Sequence, residues 1–200
     1  MIITYIINTI EIAIIIILPL ILFYKLSSWK KKSYIIMIPV LYVIWYISYG
    51  MLHEFAHIIG VWISGKEILD YQLIPHFWKG QFGTGFVNFD FQGDKSDFLI
   101  ILMPYLRDIL LVIVGYFIFS RKILKNLFTT GLLLTLFVFS SFYDVTNNYL
   151  AYVFGRMNDF NAIKVSSNSL MPHLIGLSFM IISLVLTVKI LLISKDYPEK

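Results

Sequence analysis

The chain contains no cysteine among its 200 residues. Disulfide bonds, thiolate nucleophiles and thiolate metal ligands are therefore excluded. Any metal ion bound by this protein must be held by histidine, aspartate, glutamate or backbone oxygen. The search for a functional site accordingly narrows to a small set of ionisable side chains.

Charge is also scarce, since only 14% of the residues are charged while 58% are hydrophobic. The mean hydropathy is +0.80. A soluble domain of this size covers its surface with far more charge. The sequence therefore predicts an all-α polytopic membrane protein that forms a single membrane domain over residues 1–200. The net charge of +4 comes from basic residues in short loops beside apolar runs, a pattern that favours lipid headgroups over nucleic acid.

Five apolar segments are long enough to cross a bilayer, which takes roughly 20 helical residues each. They cover residues 6–24, 34–63, 98–119, 127–154 and 170–193. We expect an N-terminal anchor helix with a basic loop over 1–33, a three-helix core over 34–160 and a C-terminal helix over 170–194. The loops before the second and fourth spans are basic, so the positive-inside rule predicts an external N-terminus and a cytoplasmic C-terminus. The compact chain and its composition favour a microbial plasma membrane.

Residues 67–92, between the second and third spans, have strand character. Apolar and polar residues alternate over 69–73 and again over 87–91, and glycines flank both runs. This period of two predicts a small β-hairpin.

The second span contains His53-Glu54-Phe55-Ala56-His57. Residues four apart share one face of a helix, so both imidazoles can reach one zinc ion. Glu54 beside them can take a proton from a water activated by the metal and deliver it to a leaving amine. Ionisable residues inside a membrane span are costly and mark function by default, whereas the alternative interpretation is a polar patch that packs helices.

A catalytic zinc ion normally takes three protein ligands, so a third must come from elsewhere in the chain. His53 and Asp144 lie at similar depths in spans that should run parallel, within about one turn. Asp144 is therefore the preferred third ligand. Asp159 is the alternative, although it lies about four turns further along unless the chain folds back. Asn147, Asn148 and Arg107 are candidate substrate contacts, but helix–helix bonding and an Arg107–Asp108 pair are competing interpretations.

These features resemble the site-2 protease family of intramembrane metalloproteases. The resemblance covers residues 34–160 and rests on the His-Glu-X-X-His span continuing to Gly60, the following hairpin, a proline-containing span and a later aspartate. It implies a zinc-dependent endopeptidase that cuts membrane-embedded proteins or peptides within the bilayer. Carried over to this chain, the ligands would be His53, His57 and Asp144, and the general base would be Glu54. The exposed edge of the 67–92 hairpin could then bind an unwound substrate segment by strand addition, with Asn88 among the substrate contacts. Proline at Asn88 or Asp90 should abolish cleavage while leaving zinc bound.

Two other interpretations are open. A membrane metalloprotease with glutamate as third ligand is disfavoured, because Glu11, Glu67 and Glu199 do not lie at a suitable depth in a late span. The non-enzymatic alternative is a catalytically inactive metal-binding membrane protein, such as a transporter, a sensor or a protease-like binding partner. Glu54 discriminates between them, since hydrolysis needs a base beside the ligands and metal binding does not. The sequence leaves the substrate and the oligomeric state open.

Overall fold

A computed structural model describes residues 31–74, 85–124 and 127–194. The first predicted span, 6–24, lies outside the described residues. The elements in chain order are α1 (Lys31–Ser64), β1 (Ile68–Gln72), β2 (Phe86–Phe89), α2 (Lys95–Ser120), α3 (Leu127–Leu133), a π-helical segment (Leu134–Phe139), α4 (Ser140–Val153), α5 (Asp159–Ser166) and α6 (Met171–Ser194).

The described chain is mostly helical, and three of its helices are long and apolar enough to cross a membrane. They are Lys95–Ser120, Phe128–Val153 and Met171–Ile193. Large apolar side chains such as Leu110, Phe117 and Ile181 are exposed on these helices, as expected of surfaces that face lipid. The prediction of a mostly helical chain with helices able to cross a membrane is confirmed, and the five-span topology stays a prediction.

The hairpin is present as an antiparallel pair of strands. Asp70 lies opposite Asn88 and Gln72 lies opposite Phe86, with an irregularity between Ile68 and Asp70. Among residues 31–74, 85–124 and 127–194 the sheet contains only β1 and β2, so within this part of the chain each strand has one edge that pairs with its neighbour and one that does not. The predicted hairpin is therefore confirmed.

A charged junction holds the base of the hairpin to the start of α2. Asp94 caps α2 by accepting a hydrogen bond from the backbone N–H of Asp97 at 2.9 Å. That bond, together with the Lys66 ammonium, holds the pKa of Asp94 below its usual range. Lys66, just before β1, also donates to the buried Asp97 carboxylate at 2.5 Å. The hairpin is thus fastened to the helix that follows it.

α1 and α2 approach each other closely at Gly60. A Cβ atom at this position would lie 2.8 Å from the Cα of Ile100 and 3.2 Å from its carbonyl oxygen. Only a residue without a side chain allows this separation. The contact lies one helical turn from His57, so it also sets how near the histidine comes to α2.

A second close contact joins α6 to α4, where Gly176 packs against the ring of Tyr149. Tyr149 belongs to a buried cluster that includes Tyr105 of α2 and Phe160 and Ile163 of α5. Phe160 and Ile163 have no exposed surface. The short helix α5 is therefore held firmly against the bundle by apolar packing.

Replacing Gly60 by alanine should destabilise the protein, because the new methyl group meets the α2 backbone and the helices must separate. Overpacking of this kind costs about 1–3 kcal/mol. The measurement is the thermal unfolding midpoint in detergent. Gly50→Ala is the matched control in the same helix, since its nearest contact would be at 3.9 Å. Equal midpoints for the two variants would contradict the close packing.

Candidate metal centre

α1 presents His53 and His57 on one face, four residues apart, toward the inside of the bundle. The two residues are 8% and 7% exposed, and their ring centroids are 5.0 Å apart. Tyr49 lies four residues earlier on the same face. The helical spacing predicted from the sequence therefore brings both imidazoles to one buried place.

Asp159 meets both histidines. Its Oδ2 lies 3.1 Å from Nε2 of His53 and 3.4 Å from Nε2 of His57. Ligand atoms of the three residues all lie within 4.8 Å of one another. Two imidazole nitrogens and one carboxylate oxygen therefore converge on one point.

The chain brings Asp159 to this point by folding back after α4. Gly155 adopts a φ of +78°, a conformation that ends a helix and that glycine tolerates best. Asn158 then caps α5 and donates through Nδ2 to the carbonyl oxygen of Asn148 at 2.6 Å. As the first residue of α5, Asp159 does not continue along the axis of α4. The distance of four turns expected for an unbroken helix does not apply.

The other ring nitrogen of each histidine has its own acceptor. Nδ1 of His57 lies 3.0 Å from the carbonyl oxygen of Ile100, and Nδ1 of His53 lies 2.7 Å from Oδ2 of Asp144. A carbonyl oxygen only accepts, so Nδ1 of His57 must carry the proton, and the ionised Asp144 imposes the same tautomer on His53. In the neutral ring each Nε2 then carries a lone pair directed toward Asp159, and in the protonated ring an N–H points there instead.

The donor set fits a metal ion. Two Nε2 atoms and a carboxylate oxygen face one another, with both histidines buried and the Asp159 side chain 26% exposed, and this arrangement is unfavourable unless protons or a metal ion lie among them. Burial works to raise the pKa of the Asp159 carboxyl, but the charges and hydrogen bonds of protonated His57 and His53 outweigh it and hold that pKa below its usual range. The Tyr105 hydroxyl also donates to Oδ2 at 2.9 Å. Asp159 is thus ionised and oriented, as a ligand must be.

Asp144 lies behind His53 and has no exposed surface. Its Oδ1 accepts from the Tyr49 hydroxyl at 3.1 Å and from Nδ2 of Asn148 at 2.8 Å. Its Oδ2 accepts from Nη2 of Arg107 at 2.8 Å in addition to Nδ1 of His53. Arg107 also pairs with Asp108 at 2.6 Å. Asp144 therefore contacts His53, as expected from their similar positions along their helices. The contact is made at Nδ1 of the ring and not at Nε2.

A groove of about 310 Å³ opens beside the metal-ligand group. Glu54, His57 and Asp159 line one part of it, and the length of β2 lines another. Gly85, at the start of β2, touches both sides, since a Cβ there would lie 2.9 Å from Cγ of Glu54 and would clash with the carbonyl oxygen of Gln72. The carboxylate of Glu54 and the strand therefore share one cavity.

Of the predicted substrate contacts, Asn88 lines this groove. Arg107 and Asn148 lie instead in the hydrogen-bonded network around Asp144, which follows their competing interpretation as structural residues. Asn147, on the same helix, is not among the groove-lining residues of the described chain. His173 contacts the Tyr149 hydroxyl at 3.1 Å.

Sequence reasoning missed Tyr49, Tyr105 and the carbonyl of Ile100. Two features of the sequence could have indicated Tyr49 and the Ile100 carbonyl. Tyr49, His53 and His57 follow one another at intervals of four, and a tyrosine inside an apolar span needs a partner for its hydroxyl. Pro104 has no N–H, so the carbonyl four residues earlier, at Ile100, loses its usual helical donor.

Comparisons of this chain with protein families, with curated proteins and with solved structures give no match.

Proposed function

We propose that this chain is an integral-membrane zinc metalloprotease that hydrolyses peptide bonds of membrane-embedded substrates. The observation that carries the proposal is the groove in which Glu54 adjoins the converging ligand atoms of His53, His57 and Asp159. A metal-ligand group, a carboxylate beside it and space for a chain are the parts that metal-assisted hydrolysis requires. The resemblance of the His-Glu-X-X-His span to the site-2 proteases supports the same reaction.

His53 and His57, through Nε2, and Asp159, through Oδ2, would hold the ion. This set of two imidazoles and one carboxylate suits zinc and leaves a fourth position for water or substrate. When bound, zinc makes water acidic enough to lose a proton at about neutral pH and polarises a carbonyl group. Asp159 is preferred to Asp144 as third ligand because it faces both Nε2 atoms.

Glu54 would act as the general base and then as the general acid. Its carboxylate accepts the proton of the attacking water and later delivers it to the nitrogen of the leaving amine. Glu54 is 9% exposed and lines the groove, so its environment is partly dry and strengthens these proton-transfer contacts. Glu54 directly follows His53 in α1 and lines the groove without any movement of the backbone.

The substrate would bind in extended form along β2. A helical membrane segment hides its peptide groups in internal hydrogen bonds, so it must unwind before attack. The edge of β2 that does not pair with β1 offers backbone donors and acceptors to such a segment. Phe86 and Phe89 of β2, together with Phe91 beyond it, surround the groove with apolar surface suited to membrane-derived sequences. The lipid bilayer and a membrane protein or peptide are thus the expected partners.

The detergent-purified protein should contain about one zinc ion per chain. His57→Ala and Asp159→Asn should lose it, because each removes one of the converging ligand atoms. Zinc is measured by atomic emission after dialysis. Asp90→Asn, an exposed aspartate of the hairpin region, is the control and should keep its zinc. Full zinc content in Asp159→Asn would remove Asp159 from the ligand set.

Glu54→Gln should keep zinc and lower peptide hydrolysis by about 10²–10⁴, the usual contribution of a general base. The assay uses fluorescently labelled transmembrane peptides reconstituted with the protein in liposomes, with Glu67→Gln as the control. Cleavage by Glu54→Gln at the unaltered rate would refute the protease proposal. Zinc-loaded protein that leaves every peptide intact would favour the catalytically inactive metal-binding alternative.

Asn88→Pro should abolish cleavage without releasing zinc, because it removes a backbone N–H from the strand that lines the groove. Asn88→Ala is the matched control, since it shortens the same side chain and keeps the N–H. Loss of cleavage in both variants would assign the effect to the side chain. Cleavage by Asn88→Pro at the normal rate would contradict strand addition. Both zinc content and peptide hydrolysis are measured.

A further inference from the structure

We propose that Asp144 is a positioning residue for His53 and not a metal ligand. The inference rests on the metal site proposed above, but not on protease activity. It concerns how the chain holds the ring of His53 in the orientation and tautomer that a metal ion needs. Three observations carry it: the position of Asp144 at Nδ1, the saturation of its carboxylate and the buried ion pair behind it.

The carboxylate of Asp144 has no lone pair left for a metal ion. An ionised carboxylate offers about four lone-pair sites. Here Oδ2 accepts from His53 and Arg107, and Oδ1 accepts from Tyr49 and Asn148. Binding a metal through either oxygen would displace one of these donors and leave it unsatisfied in a buried place. Asp159, by contrast, directs an oxygen at both Nε2 atoms.

The surrounding charges keep Asp144 ionised in this position. Arg107 reaches both Asp144, at 2.8 Å, and Asp108, at 2.6 Å, through the same nitrogen. A buried carboxylate that pairs with a cation and with several donors is held in one orientation. Its bond to Nδ1 of His53, at 2.7 Å, then fixes the ring and makes Nε2 a stronger base.

The test compares Asp144→Asn with Asp108→Asn, which alters the other partner of Arg107 but not a residue bonded to His53. Zinc affinity is measured by competition with a chelator, and the coordination of added Co²⁺ is measured by its visible absorption. Asp144→Asn should weaken zinc binding by about 10–100-fold, the usual effect of losing such a partner, and keep the shape of the cobalt spectrum. Asp108→Asn, which keeps the bond between Asp144 and Nδ1 of His53, should weaken zinc binding by less than Asp144→Asn does.

Two results would overturn this role. If Asp144→Asn abolishes the cobalt spectrum while Asp159→Asn retains it, Asp144 is the ligand. If Asp108→Asn weakens zinc as much as Asp144→Asn does, the effect belongs to the stability of the whole network. Should Asp144→Asn not fold, Tyr49→Phe removes one donor from the same carboxylate. Unchanged zinc affinity in that variant would also count against the proposal.

These outcomes are distinct from failure of the proposed enzyme. A chain that binds zinc and cobalt in the expected pattern but cleaves no peptide contradicts the protease activity and leaves the role of Asp144 intact. A chain that binds neither ion contradicts both.

The geometry points to a corresponding role for Pro104 at the other histidine. Pro104 lies inside α2 and has no N–H, so the helical hydrogen bond from residue 104 to the carbonyl of Ile100 cannot form. That carbonyl accepts instead from Nδ1 of His57 at 3.0 Å. The close approach of α1 at Gly60 brings the two groups together. The proline thus frees an acceptor for His57.

Pro104→Ala separates this role from a structural one, because the two make opposite predictions. The alanine N–H can bond the Ile100 carbonyl, so the metal-free protein should unfold at a higher temperature while zinc binding weakens by about tenfold. Pro172→Ala, in the first turn of α6, is the control and should alter neither. Unchanged zinc affinity in a well-folded Pro104→Ala protein would overturn the inference.

Discussion

The centre of this protein brings together three atoms that each carry a lone pair: Nε2 of His53, Nε2 of His57 and Oδ2 of Asp159. In a largely buried setting such atoms repel one another unless protons or a metal ion lie among them. Three separate elements hold them there, since α1 carries the histidines, α5 carries the aspartate, and the Tyr105 hydroxyl of α2 fixes the carboxylate. Much of the packing described above serves to keep these elements from moving apart.

Nδ1 of each histidine has a buried hydrogen-bond acceptor, but the two acceptors are of different kinds. His57 relies on a backbone carbonyl at Ile100 that the proline in α2 leaves without its helical donor, whereas His53 relies on the side chain of Asp144. The first arrangement costs α2 a hydrogen bond and needs the close approach at Gly60. The second needs a buried carboxylate and therefore a buried cation, Arg107. In each case a local cost, a missing helical hydrogen bond in α2 or a buried carboxylate in α4, is balanced by a hydrogen bond to one of the two histidines.

Much of this arrangement could be predicted from the sequence, because it depends on regular spacing. The interval between His53 and His57, the alternation in the hairpin and the equal depth of Asp144 all follow from the geometry of helices and strands. The position of Asp159 depends instead on a reversal, and helical spacing does not extend through a reversal. Local signals were nevertheless present, since a glycine follows α4, and Asn158 with Asn161 forms the capping pair that begins α5.

The rigidity of the candidate ligand residues helps to distinguish a permanently bound metal ion from one that the protein would transport. A transport site must release its ion, so its ligands must be able to move apart. Here both Nδ1 atoms are held by buried acceptors, and the carboxylate of Asp159 begins a helix fastened by the buried Phe160 and Ile163. Glu54, in contrast, lies in an open groove beside the ligands. Fixed donor atoms beside a groove that Glu54 lines favour the proposal of a resident ion over an ion in transit.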